Sequence, residues 1–371
     1  MRRLKHLQYW LLGLCVLGLC VVGQPAIARS PQAPAIGPTV TLAQGISAFE
    51  ERAQAAYGRG DYQTAAALLQ QAQQQYRADQ NLTQAAIALS NLSLTYQQLG
   101  DWPAARAALD EAWAVLGAQP TALAVQAQML DVQGQLEFAQ GQIDQALATW
   151  QRSDDIYGQL GNPQRQALSR LNQVQALQAK GLFQQVQRSL TTLASEVSPQ
   201  APTATKASIL RQLGDSLRAT GNLDAADQRL QESLQVAEQV SDPALIAASY
   251  LSLGNLAQGR FKRAVDQQDL AGAIAHADAA LAHYQQVAAR DQGTLGVQAR
   301  LNVMQLLTHP RLARWDLAIA FYPTLQTGLP QLPPGRATIM AYTGLAETLI
   351  TLRQQRPATA PSWADIATLL A

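Results

Sequence analysis

Cysteine occurs only at Cys15 and Cys20, and both lie inside an apolar run that begins at Leu7 and ends at Val22. Arg2, Arg3 and Lys5 precede the run, and Ala26-Ile27-Ala28 follows it after Gly23-Gln24-Pro25. This is the layout of a secretory signal with a small-x-small site, so cleavage is expected after Ala28. The alternative is an uncleaved membrane anchor, for which a run of about 16 residues is slightly short of the roughly 20 a spanning helix needs. Leu14 and Leu19 stand where a lipidated cysteine requires a small residue, which argues against a lipoprotein. A mature chain from Arg29 has no thiol, so disulfides, thiolate chemistry and cysteine metal sites are excluded together.

Charge is also scarce, at 14% of residues, and it balances at 27 basic against 26 acidic. Losing Arg2, Arg3 and Lys5 leaves 24 against 26. Neither form has the broad basic field that holds a polyanion, so nucleic acid is not an expected partner. Histidine is limited to His6, His276, His283 and His309. His276 and His283 lie seven apart, about 10 Å along one helix, too far to share a metal. No Gly-rich phosphate loop, HExxH or GxSxG is present, so neither an enzyme nor a cofactor or metal site is expected. Asp154-Asp155 faces two directions on a helix and reads as wet surface, and Arg59-Gly60-Asp61 reads as a turn. Phenylalanine numbers five and β-branched runs are nearly missing, which disfavours sheet.

Alanine, leucine and glutamine fill the chain instead, a helix-forming mixture with small residues for close contact between helices. A turn followed by an Ala/Leu stripe recurs: Gly60-Asp61-Tyr62, Gly100-Asp101-Trp102, Gly141-Gln142-Ile143, Gly181-Leu182-Phe183 and Gly221-Asn222-Leu223. The glycines are 40, 41, 40 and 40 residues apart, so the chain is a stack of like units. Each turn is preceded by another amphipathic helix, expected over 49–57, 85–99, 122–140, 166–180 and 204–220, and Pro120, Pro163, Pro202 and Pro243 mark the joins. In the sixth unit the second helix, from Leu270, starts seven residues late. That is about two helical turns, so the first helix can lengthen without rotating its buried face. The added stretch carries Arg260, Lys262 and Arg263, either an anionic contact or a solvated helix end. A seventh unit follows, with its second helix from Arg314, and then the start of an eighth at Ala337.

Leu89, Leu92, Tyr96, Gly100, Asp101, Trp102, Ala105, Leu109 and Ala112, and again Leu210, Leu213, Gly214, Leu217, Gly221, Leu223, Ala226 and Leu230, resemble the tetratricopeptide repeat (TPR). The resemblance implies an all-α fold, a right-handed α-solenoid of about seven to eight helix-turn-helix repeats, with aromatics filling the space between pairs. The period of about 40 exceeds the usual 34 by roughly one turn per helix. The expected organisation is a signal peptide over 1–28, a Pro-rich leader over 29–44 and the solenoid over 45–371, its last repeat incomplete.

In this family the first helices line a concave groove that takes a protein or peptide. The matching polar positions are Asn91, Gln128, Asp131, Gln135, Asn172, Arg211, Asp215, Arg218, Asn255 and Asn302. Amides there offer donors and acceptors to an extended backbone. The family's clamp for a C-terminal carboxylate is not expected, because Ile87, Gln128 and Val132 stand in its places. The expected function is an exported, periplasmic or extracellular, non-enzymatic scaffold for a protein or peptide partner, with membrane contact only if the signal stays uncleaved. The combination of signal, leader and long repeats is also similar to the N-terminal half of bacterial proteins that continue into a CHAT domain, a caspase-like peptidase. That implies, as an alternative, a regulatory part of such a peptidase, whose catalytic pair would lie beyond Ala371. A third reading is self-association through an uncapped C-terminal end.

Overall fold

The computed structural model describes residues 48–117, 122–331 and 336–365. The expected signal and leader, and residues 366–371 of the last repeat, lie outside the described residues. The described chain is built from α-helices with no strand. The first four units are α1 (Ala48–Gly58) with α2 (Tyr62–Ala78), α3 (Leu82–Leu99) with α4 (Trp102–Leu116), α5 (Leu123–Ala139) with α6 (Ile143–Gln159), and α7 (Pro163–Ala179) with α8 (Phe183–Val197). Then come α9 (Ala204–Ala219) with α10 (Leu223–Gln239), α11 (Pro243–Asp266) with α12 (Leu270–Arg290), and α13 (Thr294–Leu307) followed by α14 (Trp315–Phe321) and α15 (Pro323–Gly328). The last is α16 (Arg336–Gln355). None of the described helices is long and apolar enough to cross a membrane.

The recurring turn works by two local devices. Gly100 adopts φ 75°, the left-handed region that ends a helix, and the Asp101 side chain accepts the Ala104 N–H at 3.1 Å, opening the next helix. Gly221 and Asn222 repeat the arrangement. The sixth unit has no glycine there: Gln268 takes the left-handed turn at φ 61° and Asp269 caps α12. Helix α11 therefore runs on for 24 residues, as the seven-residue displacement requires. In the seventh unit the second helix, α14, covers the expected stretch from Arg314 to Tyr322 within a residue at each end, and Pro323, which has no N–H to continue the ladder, starts the separate short helix α15.

Each long helix packs on the next in sequence, and first helices also meet first helices, α3 on α5, α7 on α9, α9 on α11 and α11 on α13. Second helices do not approach one another to that extent, so the stack curves with its first helices on the inner wall. Small residues set the approach within units. A Cβ on Gly134 would lie 2.4 Å from Trp150 Nε1, one on Gly214 2.6 Å from Leu230, and one on Gly254 2.5 Å from Tyr284. Buried Trp150 and Tyr284 thus fill the space within units. Two aromatics that open second helices do not: Trp102 and Phe183 are exposed at the first position of α4 and α8, whereas Trp315 at the start of α14 is buried.

The apolar core is not continuous. One large cluster runs from Ala53 to Met129, a second from Ala167 to Leu245 and a third from Ala247 to Ala360. The third unit between them holds only small clusters around Leu136 and Trp150. Its interior is partly polar: Asp131 Oδ1 sits 2.8 Å from both Ser153 Oγ and Ser169 Oγ, tying α5, α6 and α7 together. In α16, Leu345, Leu349 and Leu352 are fully buried, so the apolar surface left at this end among the described residues is Leu317 and Trp363, more than half exposed.

Candidate functional site

The inner wall is the surface that helix order and curvature single out. Of the ten polar positions expected on it, five have been drawn into the packing. Asp131 is buried in the serine network, and burial raises its carboxyl from 3.8 to about 6, an effect only partly offset by hydrogen bonds from Ser153 and Ser169. Gln128 is buried beside it, its Oε1 without a hydrogen bond. Asn172 is buried on α7. Asn255 Oδ1 accepts from Tyr284 Oη at 2.8 Å and from Asn302 Nδ2 at 3.0 Å, so these two asparagines brace α11, α12 and α13. Burial pushes the Tyr284 hydroxyl far up, which keeps it a neutral donor.

The remaining five keep access to solvent. Asn91 is half-buried on α3 and Gln135 half-buried on α5. Arg211, Asp215 and Arg218 form one face of α9 at positions four and three apart. Arg211 Nη1 lies 3.5 Å from Asp215 Oδ2, Arg218 Nε lies 3.8 Å from Asp215 Oδ1, and Ser252 on α11 donates to Asp215 Oδ2 at 2.9 Å. Burial, opposed by the Asp215 charge, lowers the pKa of the Arg211 guanidinium. The structure therefore brings three of the positions into one cluster and a second pair into another, while Asn91, Gln135 and Asn172 stand apart. Ser252, Gln258 and Tyr284 complete these clusters and were not singled out from the sequence. Tyr284 faces Gly254 as Trp150 faces Gly134, and that unit-to-unit correspondence was the available signal.

Other candidates are structural. Arg260 pairs with Asp224 and Asp227, and Arg263 donates to the Gly221 carbonyl at 2.8 Å, so both arginines are tied to the preceding unit, with Lys262 exposed. Asp154 accepts from Arg170, which also reaches Glu196. His283 packs against Tyr250 and His309 meets the edge of Phe261. Among the described residues no group of His, Asp and Glu is arranged to hold a metal.

Models of the tetratricopeptide repeat match residues 86–116, in α3 and α4, and residues 205–275, from α9 into α12. No curated protein matches the chain. Among solved structures it is similar to a signal transduction ATPase with numerous domains (STAND) protein with a tetratricopeptide repeat sensor from Pyrococcus horikoshii. That match has 13% identity and a TM-score of 0.54 over 86% of this chain and 44% of that one. A Rap protein complexed with competence and sporulation factor matches at 12% identity and TM-score 0.50, over 86% and 94%. Aspartyl phosphate phosphatase F from Bacillus subtilis matches at 11% and 0.50, over 71% and 70%. At these identities the likeness is one of fold.

Proposed function

We propose that this TPR-like solenoid is a non-enzymatic scaffold that holds a segment of a protein or peptide partner along the wall of its first helices. The observation that carries this reading is the wall itself: first helices that meet from α3 to α5 and from α7 through α13, presenting the half-buried polar groups Asn91, Gln135, Arg211, Asp215 and Arg218. Such groups meet an extended backbone with donors and acceptors while the stack behind them supplies rigidity. The similar Rap structure, complexed with competence and sporulation factor, lends support. The test is affinity capture from an envelope extract with the chain from Arg29 onward as bait. A partner is expected that Asn91→Ala and Gln135→Ala each release without lowering the melting temperature. A partner indifferent to both variants, or none, overturns the reading.

The N-terminal layout supports an exported location, and mass spectrometry of the mature N-terminus, expected at Arg29, checks it. A second reading rests on the same layout joined to long repeats: a substrate-recruiting region working with a CHAT-type peptidase on a longer or separate chain. An open reading frame with a His/Cys pair just downstream favours it, and unrelated sequence there removes it.

A further inference from the structure

Resting on the groove reading, we propose that α9 carries a recess for one acidic side chain, Asp or Glu, of an extended peptide that crosses the inner wall. Arg211 and Arg218 would supply the two guanidiniums that hold it. Both lie within 4 Å of a single protein carboxylate, Asp215, and Asp215 also takes the Ser252 hydroxyl. Both Nε atoms are shielded from solvent and make no hydrogen bond, Arg218 Nε standing 3.8 Å from Asp215 Oδ1. The Arg211 side chain is only 12% exposed. A sequestered guanidinium without its acceptors is costly, and a bidentate carboxylate is the partner whose geometry fits its fork.

Two part-buried first-helix arginines on the neighbouring units show the contrast, each having two carboxylates. Arg170 has both Asp154 and Glu196, and Arg260 has both Asp224 and Asp227. At Arg211 and Arg218 the ratio is reversed, two cations to one anion. The surrounding wall cannot correct it: in α7, α9, α11 and α13 the only acidic residues are Asp215 and Asp266, and Asp266 is the last residue of α11. Second-helix acids near α11 are engaged by Arg260. A ligand carboxylate is therefore the group the electrostatics favour. It belongs to a side chain rather than a chain end because α9 lies within the array, with first helices continuing past it as α7 on one side and α11 and α13 on the other.

The test uses the chain from Arg29 onward and a synthetic array of random dodecapeptides, acetylated and amidated so that side chains supply the only carboxylates. Bound peptides are expected to be enriched in Asp or Glu at one position. Affinity for an enriched peptide should fall roughly tenfold or more in Arg218→Gln, with the melting temperature checked in parallel. Asp215→Asn removes the internal competitor and should tighten the same peptide roughly tenfold, a gain that misfolding cannot imitate. Peptides that bind without acidic preference, or with a preference unchanged in both variants, overturn the recess and leave the groove standing. Absence of any bound peptide overturns both.

Discussion

Gly134 and Gly259 are both helical glycines, and their surroundings predict opposite responses to one methyl group. The Cβ of Gly134→Ala would fall within 2.8 Å of three atoms of the Trp150 indole, a buried ring held by its hydrogen bond to the Asp131 carbonyl. The helices must part, and a loss of about 1–3 kcal/mol is expected from thermal unfolding. Gly259 has nothing within 4 Å, so Gly259→Ala should gain about 0.5–1 kcal/mol from helix propensity alone. Asp131 supplies a second residue-scale prediction. Its folded pKa, about 6, lies above the ordinary 3.8, so between those values the folded state binds more protons than the unfolded state. Stability should therefore fall as pH rises from about 4 to about 6 and level off above, by of order 3 kcal/mol. Asp131→Asn keeps an acceptor for the two serines and should flatten that slope, as urea midpoints across the range would register. The buried character of Asp131 was not legible in the sequence. Ser153 and Ser169, which complete its environment, lie 22 and 38 residues away, and an aspartate at an inner-wall position reads simply as polar.

At the scale of the element, the helices were legible almost residue by residue, because two local signals agree: an apolar stripe and a glycine turn, capped by Asp or Asn in three of the five named units. Where one signal is missing the reading weakens. The sixth turn has Gln268 in a left-handed conformation that glycine adopts without strain, so Gln268→Gly should stabilise by about 0.5–1 kcal/mol. Chemical denaturation of the single variant checks this, and no change would show that α11 and α12 dictate the turn regardless of its residue. In the seventh unit the stripe from Arg314 to Tyr322 placed α14 within a residue at each end, whereas the short α15 that Pro323 opens was not read from the sequence, its six residues being too few for a stripe to show. The exposure of Trp102 and Phe183 escaped for a different reason. A stripe tells which residues share a helix face, whereas the neighbour that covers the first residue of a helix is a property of the stack.

For the whole molecule, a repeat array answers to its neighbours and not to distant units. Deleting residues 48–80, the first unit, should lower the denaturation midpoint by a modest increment and leave the far units helical by circular dichroism. Collapse of the entire signal would mean that cooperativity runs from end to end. The repeat period gave away this architecture, but not the change in interior midway. Between the cluster ending at Met129 and the one beginning at Ala167 the stack is joined by two small apolar clusters, around Leu136 and around Trp150 with Ala176, and by a buried carboxylate with two hydroxyls. Mechanically, that makes the solenoid two stiff rods with a compliant coupling. Hydrogen bonds reach over a shorter range than dispersion contacts spread across many side chains, so a small extension releases them. Pulled from its ends, the protein should yield first at the third unit, and a partner lying along the full wall would act as a splint across that joint.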